Sequence, residues 1–286
     1  MAIRGRAGVF GYVCAAAVCA LPALSRQALP PASRPNADGR REASAALERV
    51  RAALSPSRPI ASVKSLVLET EEREEPLNPG NDARGETAPP RVNHCTYRLL
   101  VPDRYQRVLV DGPVTMTHTL DGDRFWQRRV GPEAPPEVAA LLERMSTDRV
   151  EQAALKRGFQ TQLTGVMLAF LARWPDSAGL ACRGDRPTSF DGREVKTLVF
   201  EKEGAQRFKL LVDPASGMPR ALVQVYTNPP LEAVERLFDY RETIGVKLPH
   251  RLELSLSKTR HVIVVRRAAI DVALSPGEFA ERRPGR

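Results

Sequence analysis

Residues 92–130 read VNHCTYRLLVPDRYQRVLVDGPVTMTHTLDGDRFWQRRV. The stretch is punctuated by Val101-Pro102-Asp103-Arg104, where proline fixes φ for a turn, and by Asp121-Gly122-Asp123, whose Asp-Gly step is a strong short hairpin signal. The segments between them, Cys95–Leu100, Tyr105–Val110, Val114–Leu120 and Arg124–Val130, are short and rich in β-branched and aromatic residues. They predict strands joined as hairpins.

The pattern continues outward. Downstream, Leu180–Arg183, Val195–Glu201, Arg207–Asp213, Arg220–Tyr226, Val234–Tyr240, Arg251–Ser257 and Val262–Ile270 are strand candidates. Asp191-Gly192, Glu203-Gly204, Ser216-Gly217 and Ile244-Gly245 fall between them as turns. Upstream, Val63–Thr70 alternates so that Leu66 and Leu68 share a core-directed face. Such regular spacing predicts an antiparallel meander. About eleven strands are too many to stay flat, so the sheet must curl or split. The 24 prolines suit turns and edges better than long helices.

Helical periodicity interrupts the strands at three places. Ala43, Ala46, Leu47, Val50 and Leu54 mark an amphipathic helix ended by Pro56 and Pro59. A second helix is predicted from Glu137 to about Lys156, ended by Gly158, with Val138, Leu141, Leu142 and Met145 on one face. A third is predicted from about Gln162 to Trp174; its Leu163, Val166, Met167, Phe170 and Leu171 make a face broader than a surface helix needs. Core packing accounts for such a face, and so does a lid over an apolar cavity. The segment Glu71–Arg91 reads as a long polar loop, and its acidic run lacks the fixed spacing of a calcium loop.

The 286-residue chain opens with Arg4 and Arg6, an uncharged apolar run from Ala7 to Leu24, and small residues at Ala23 and Ser25. This predicts a cleaved export signal over residues 1–25, then a Pro/Ser-rich tether over 26–42. The net charge of +9 is spread along the chain and interleaved with acids, unlike the clustered stripe of a nucleic-acid binder. It fits a basic-biased soluble surface, and peripheral contact with an anionic membrane suits the same excess. Cys14 and Cys19 lie within the signal; Cys95 and Cys182 remain, and in an exported domain a disulfide between them and two buried thiols are both open.

A search for chemistry returns little. There is no G-x-S-x-G elbow, H-E-x-x-H, G-x-G-x-x-G or P-loop. His94, His118, His250 and His261 are scattered, without metal-ligand spacing. His94 and Cys95, as strand neighbours, point to opposite faces and make no dyad. The reading is a non-enzyme without metal or cofactor.

Several of these turns, in order, resemble a known family. Leu99-Leu100-Val101-Pro102-Asp103-Arg104-Tyr105, Asp121-Gly122 followed by Trp126, Leu211 through Asp213-Pro214-Ala215-Ser216-Gly217-Met218-Pro219, and Asp239-Tyr240-Arg241 through Gly245-Val246-Lys247-Leu248-Pro249-His250 look like segments of periplasmic proteins related to outer-membrane lipoprotein sorting. These are the LolA/LolB type, with LppX and RseB as wider relatives; Val63–Leu66 agrees with their opening. The resemblance implies an unclosed β-barrel with helices in its mouth, holding an acyl chain or hydrophobic peptide.

The expectation is therefore a mainly β (α+β) domain over residues 43–280, a strongly curved antiparallel sheet with two or three helices plugging its concave side, and a tail at 281–286. Its function would be to bind or carry a lipid or acylated protein outside the cytoplasm. The alternative is an envelope sensor binding a protein partner. The cavity would be lined by Leu66, Leu68, one of Phe125 and Trp126, and the helix residues Leu141, Leu142, Met145, Val166, Met167, Phe170 and Leu171.

Overall fold

The computed structural model describes residues 37–76 and 92–281, apart from 135, 137–138, 141–142, 144–146, 185–186, 203–206, 228–229 and 257–258. The signal, most of the tether, and Val138, Leu141, Leu142 and Met145 lie outside the described residues.

Among the described residues thirteen strands form one antiparallel sheet that does not close. A first meander comprises β1 (Ser65–Pro76), β2 (Val92–Leu100), β3 (Arg104–Asp111), β4 (Val114–Asp121) and β5 (Arg124–Val130). A second comprises β6 (Ala181–Gly184), β7 (Thr188–Phe190), β8 (Arg193–Glu201), β9 (Arg207–Val212), β10 (Pro219–Thr227), β11 (Pro230–Thr243), β12 (Val246–Leu256) and β13 (Thr259–Ile270). The spatial order is β5-β4-β3-β2-β1-β13-β12-β11-β10-β9-β8-β6, with β7 beside β8. The two meanders are thus two wings joined where β1 pairs with β13, from Leu66↔Ile270 to Pro76↔Thr259. This is the curved meander that the hairpin spacing predicts, left open as the unclosed half-barrel that the resemblance implies.

Helix α1 (Ala37–Leu54) begins inside the segment read as a tether and packs on β6, β8 and β12, burying Ala43, Leu47, Val50 and Leu54. Helix α2 (Arg149–Leu171) enters the concave side and touches β4 of one wing and β9, β10 and β12 of the other. Asp148 caps it, its carboxylate accepting from the Val150 and Glu151 amides. Ala172 ends it in the left-handed region at φ 46°.

The two helices predicted around Gly158 are corrected here, because α2 runs through that residue. An interior glycine costs about 1 kcal/mol. Leu155, Phe159 and Leu163, four residues apart on one face, are all buried, and each contributes about 1.5–3 kcal/mol. Tertiary burial outweighs the local signal.

The acidic stretch is the second correction. Glu71 to Glu75 belong to β1, together with the expected Glu69, and not to a loop. Partners from β13 supply what the local sequence lacks: Glu69 meets Arg267 at 3.5 Å, Glu71 meets Arg266 at 2.5 Å and Glu75 meets Arg260 at 2.6 Å. Cross-strand opposite charges support a pairing that like charges alone would oppose.

Candidate functional site

Strand alternation decides what the concave face presents. Along β1, Leu66 and Leu68 are buried near one end, Thr70 follows, and Glu72 comes next on the same face. The apolar half of the trough is filled by α2. Leu66, Leu99, Leu120, Leu210 and Leu248 pack in one core with Phe159, Leu163, Met167, Leu168, Phe170 and Leu171. Of the helix residues expected to line a cavity, Met167, Phe170 and Leu171 are buried and Val166 is half-buried against that core.

Phe125 and Trp126 take opposite faces. The Phe125 ring lies 5.2 Å from that of Phe159. Trp126 faces the convex side, where its indole N–H donates to the Phe279 carbonyl at 3.0 Å. Buried Phe279, Thr119 and Gln106 complete that outer contact.

The other half of the trough is polar, and composition gave no sign of it. Across β2, β3 and β4 the residues Tyr97, Arg107 and His118 stand opposite one another in a single row. Arg107 and Glu72 form an ion pair at 3.0 Å with side chains only 12% and 15% exposed. Tyr97 donates its hydroxyl to the second Glu72 oxygen, and the Arg107 guanidinium sits 5.8 Å from the Tyr97 ring centroid. Cys95 lies against Arg107, sulfur to nitrogen 3.7 Å. The His118 ring stacks on Phe159 at 4.7 Å, and Tyr105 approaches the same ring at 6.3 Å.

These surroundings fix the protonation states. Burial pushes the Glu72 carboxyl up, but Arg107 and the hydrogen bonds from Tyr97 and Cys95 outweigh it and hold it below its usual range. Burial and Arg107 push His118 down to about 3, so the imidazole is neutral. Burial, then the Glu72 charge, pushes the Cys95 thiol up to about 12, which leaves no thiolate for nucleophilic work at neutral pH. Opposite, on β11, half-buried Glu235 is raised to about 7 by burial and by the charge of Glu72.

The disulfide left open from sequence does not form. Cys95 and Cys182 are both free, one on β2 and the other on β6 at the far edge of the opposite wing. Burial pushes Cys182 up to about 11. His94 is exposed on the face away from Cys95. His250 is buried in the second wing, one ring nitrogen 3.0 Å from the Val265 carbonyl. Among the described residues no group of three His, Cys, Asp or Glu is placed to hold a metal, and no helix is long and apolar enough to cross a membrane. A separate cleft of about 310 Å³ opens between α1 and the β9–β10 turn, lined by Ala46, Arg49, Val50, Lys196, Asp213 and Gly217.

No protein-family model matches the chain, and no curated protein does. Solved structures are similar in fold. A LolA superfamily protein from Nitrosomonas europaea is 12% identical with a TM-score of 0.47, covering 84% of this chain and 97% of that one. A putative outer membrane lipoprotein-sorting protein domain from Vibrio parahaemolyticus is 9% identical with a TM-score of 0.47, covering 83% and 97%. The MucA/MucB complex of Pseudomonas aeruginosa gives 11% identity and a TM-score of 0.26, covering 84% and 61%.

Proposed function

We propose that this chain is an exported, non-enzymatic binder of acyl chains, which takes a lipid or acylated protein into the trough now filled by α2. The observation that carries the reading is the manner in which α2 is held. Its C-terminal end is fastened: Arg173 donates to the Ala61 and Val63 carbonyls at 3.3 and 3.0 Å, and Arg51 donates to the Ala172 carbonyl at 3.1 Å. Further toward the start of the helix, Lys156 pairs with Asp123 at 2.5 Å, but the Asp123 side chain is 89% exposed, and such a pair contributes at most about 1 kcal/mol. Between these ends the helix buries Phe159, Leu163, Met167 and Leu168 in the apolar core.

An acyl chain can replace that burial in kind. Six large apolar side chains contribute about 1.5–3 kcal/mol each, and about fifteen methylenes contribute about 0.8 kcal/mol each. The two totals are of the same order, so exchange of helix for ligand about the fastened end is close to balanced. A helix that swings away at its N-terminal end is the lid of the sequence reading, with the trough beneath it as the cavity.

The test is mass spectrometry of an organic extract of the protein purified from a bacterial envelope without detergent, joined to uptake of N-phenyl-1-naphthylamine. A stoichiometric acylated species, or saturable uptake displaced by long-chain lipids, is the expected result. Clean protein that takes up no probe would reject the acyl-binding reading. It would move the assignment to a protein-binding module, for which edge strand β5 offers exposed Arg124, Arg128 and Val130 along a backbone with no outer strand among the described residues.

A further inference from the structure

Three buried polar atoms on one patch of the concave face have no hydrogen-bond partner among the described residues: Tyr105 Oη, Arg107 Nε and His118 Nδ1. Tyr105 and Arg107 are two apart on β3 and share a face, and His118 stands directly opposite Arg107 on β4. Directly opposed residues place their Cβ atoms about 5 Å apart, so the three form one neighbourhood. Tyr105 is 0% exposed. All three can donate: Arg Nε–H does nothing else, and a phenol and a neutral imidazole can do so. An unmade buried hydrogen bond is costly, and three donors side by side are suited to receive one acceptor.

The covering group is Phe159 of α2, whose ring stacks on His118 at 4.7 Å and lies 6.3 Å from Tyr105. The ring hides the donors and satisfies none of them. The movement of α2 that would open the apolar trough would also uncover this patch, so a ligand chain entering one would bring its head to the other.

Charge decides which acceptor fits. Arg107 is already neutralised by Glu72 at 3.0 Å, and Glu235 faces the same space with its own carboxyl near Glu72. A ligand carboxylate or phosphate at these three donors would add a buried negative charge beside Glu72, whose own cation is already spent on it, a strongly unfavourable arrangement. An uncharged carbonyl needs donors only.

We propose that Tyr105, Arg107 and His118 form a recognition point for the neutral carbonyl of an ester- or amide-linked acyl chain, and that the site discriminates against free fatty acids. The proposal rests on the acyl-binding reading above and adds the chemistry of the head group.

The test is displacement of N-phenyl-1-naphthylamine from the purified full chain by monolauroylglycerol, by laurate and by dodecane. Monolauroylglycerol is expected to compete at least about tenfold better than laurate. Tyr105→Phe, which keeps the ring, should weaken monolauroylglycerol about fivefold, the loss of one net hydrogen bond, and leave dodecane unchanged. His118→Phe keeps the stack on Phe159 and should act in the same direction. Equal competition by ester and acid, or an unchanged ester affinity in both variants, would overturn the carbonyl site while leaving acyl binding intact. A protein that binds neither the probe nor any of the three ligands would reject the acyl-binding reading, and this proposal with it.

Discussion

Replacing Arg107 by methionine tests whether the polar half of the trough depends on its ion pair. Met keeps the length of the side chain and removes the charge. Glu72 would keep Tyr97 as a donor but would lose the guanidinium at 3.0 Å, in a setting where its side chain is 15% exposed. Breaking one partner of such a buried pair costs about 3–5 kcal/mol. At about 2–4 °C per kcal/mol for a domain of this size, the melting temperature should fall by about 6–20 °C. The loss should also depend on pH. In the intact protein the Glu72 carboxyl is held below its usual 4.5, so its contribution is present above that value and fades as pH falls through the depressed folded value. In the variant burial acts without Arg107 and the folded value rises instead. The penalty is then absent in acid and grows as pH climbs through 4.5 and beyond. Urea unfolding at pH 4 and pH 7 should therefore show a deficit several-fold larger at pH 7. Adding Glu72→Gln removes the stranded charge and should restore all but about 1 kcal/mol. A deficit below about 1 kcal/mol, or a double variant no better than Arg107→Met alone, would refute the account.

Other outcomes follow from the same structure. Glu235→Gln should leave stability at pH 4 unchanged and raise it progressively between pH 4.5 and about 7, because a carboxyl whose folded value is raised to about 7 costs stability as pH climbs from 4.5 to that value and the cost is constant above it; thermal melts across this range measure it. Leu168→Ala, at a fully buried position of α2, should destabilise by about 2–5 kcal/mol in urea. Gly245→Ala should lower stability by about 1–3 kcal/mol. Gly245 sits at φ +75°, where an added Cβ meets Ser57 Oγ, so Ser57→Ala in the same chain should recover the steric part and leave the backbone part.

The hairpins were legible because their signals are local. Asp121-Gly122 and Ile244-Gly245 carry turn chemistry in two residues, and the flanking strands pair across them. What escaped sequence reading depends on distant partners. Glu71 looks like part of a solvated loop until Arg266, 195 residues away, is placed beside it. Gly158 looks like a helix stop until the trough around Phe159 is known. Alternation showed that Phe125 and Trp126 point apart, but only the register with Leu120 and Thr119 fixes which one meets α2. His118 was one of four scattered histidines in the sequence. Its significance comes from its place opposite Arg107 and beneath Phe159, which no spacing along the chain encodes.

The seam between β1 and β13 bears on how the molecule comes to be folded. Each wing is a run of hairpins whose strands follow one another closely, and such contacts form early at little loss of chain freedom. The seam joins Leu66 to Ile270, and closing a loop of that length slows the final pairing. Until β13 has formed, β1 shows a naked edge of acids, and the trough has walls on one side only. This topology favours wings that form as separate leaves, with the bed of α2 complete only once the closing seam brings the second wall against it. Loss of the final strand would leave two leaves with no spine, each presenting an open edge to any extended chain nearby.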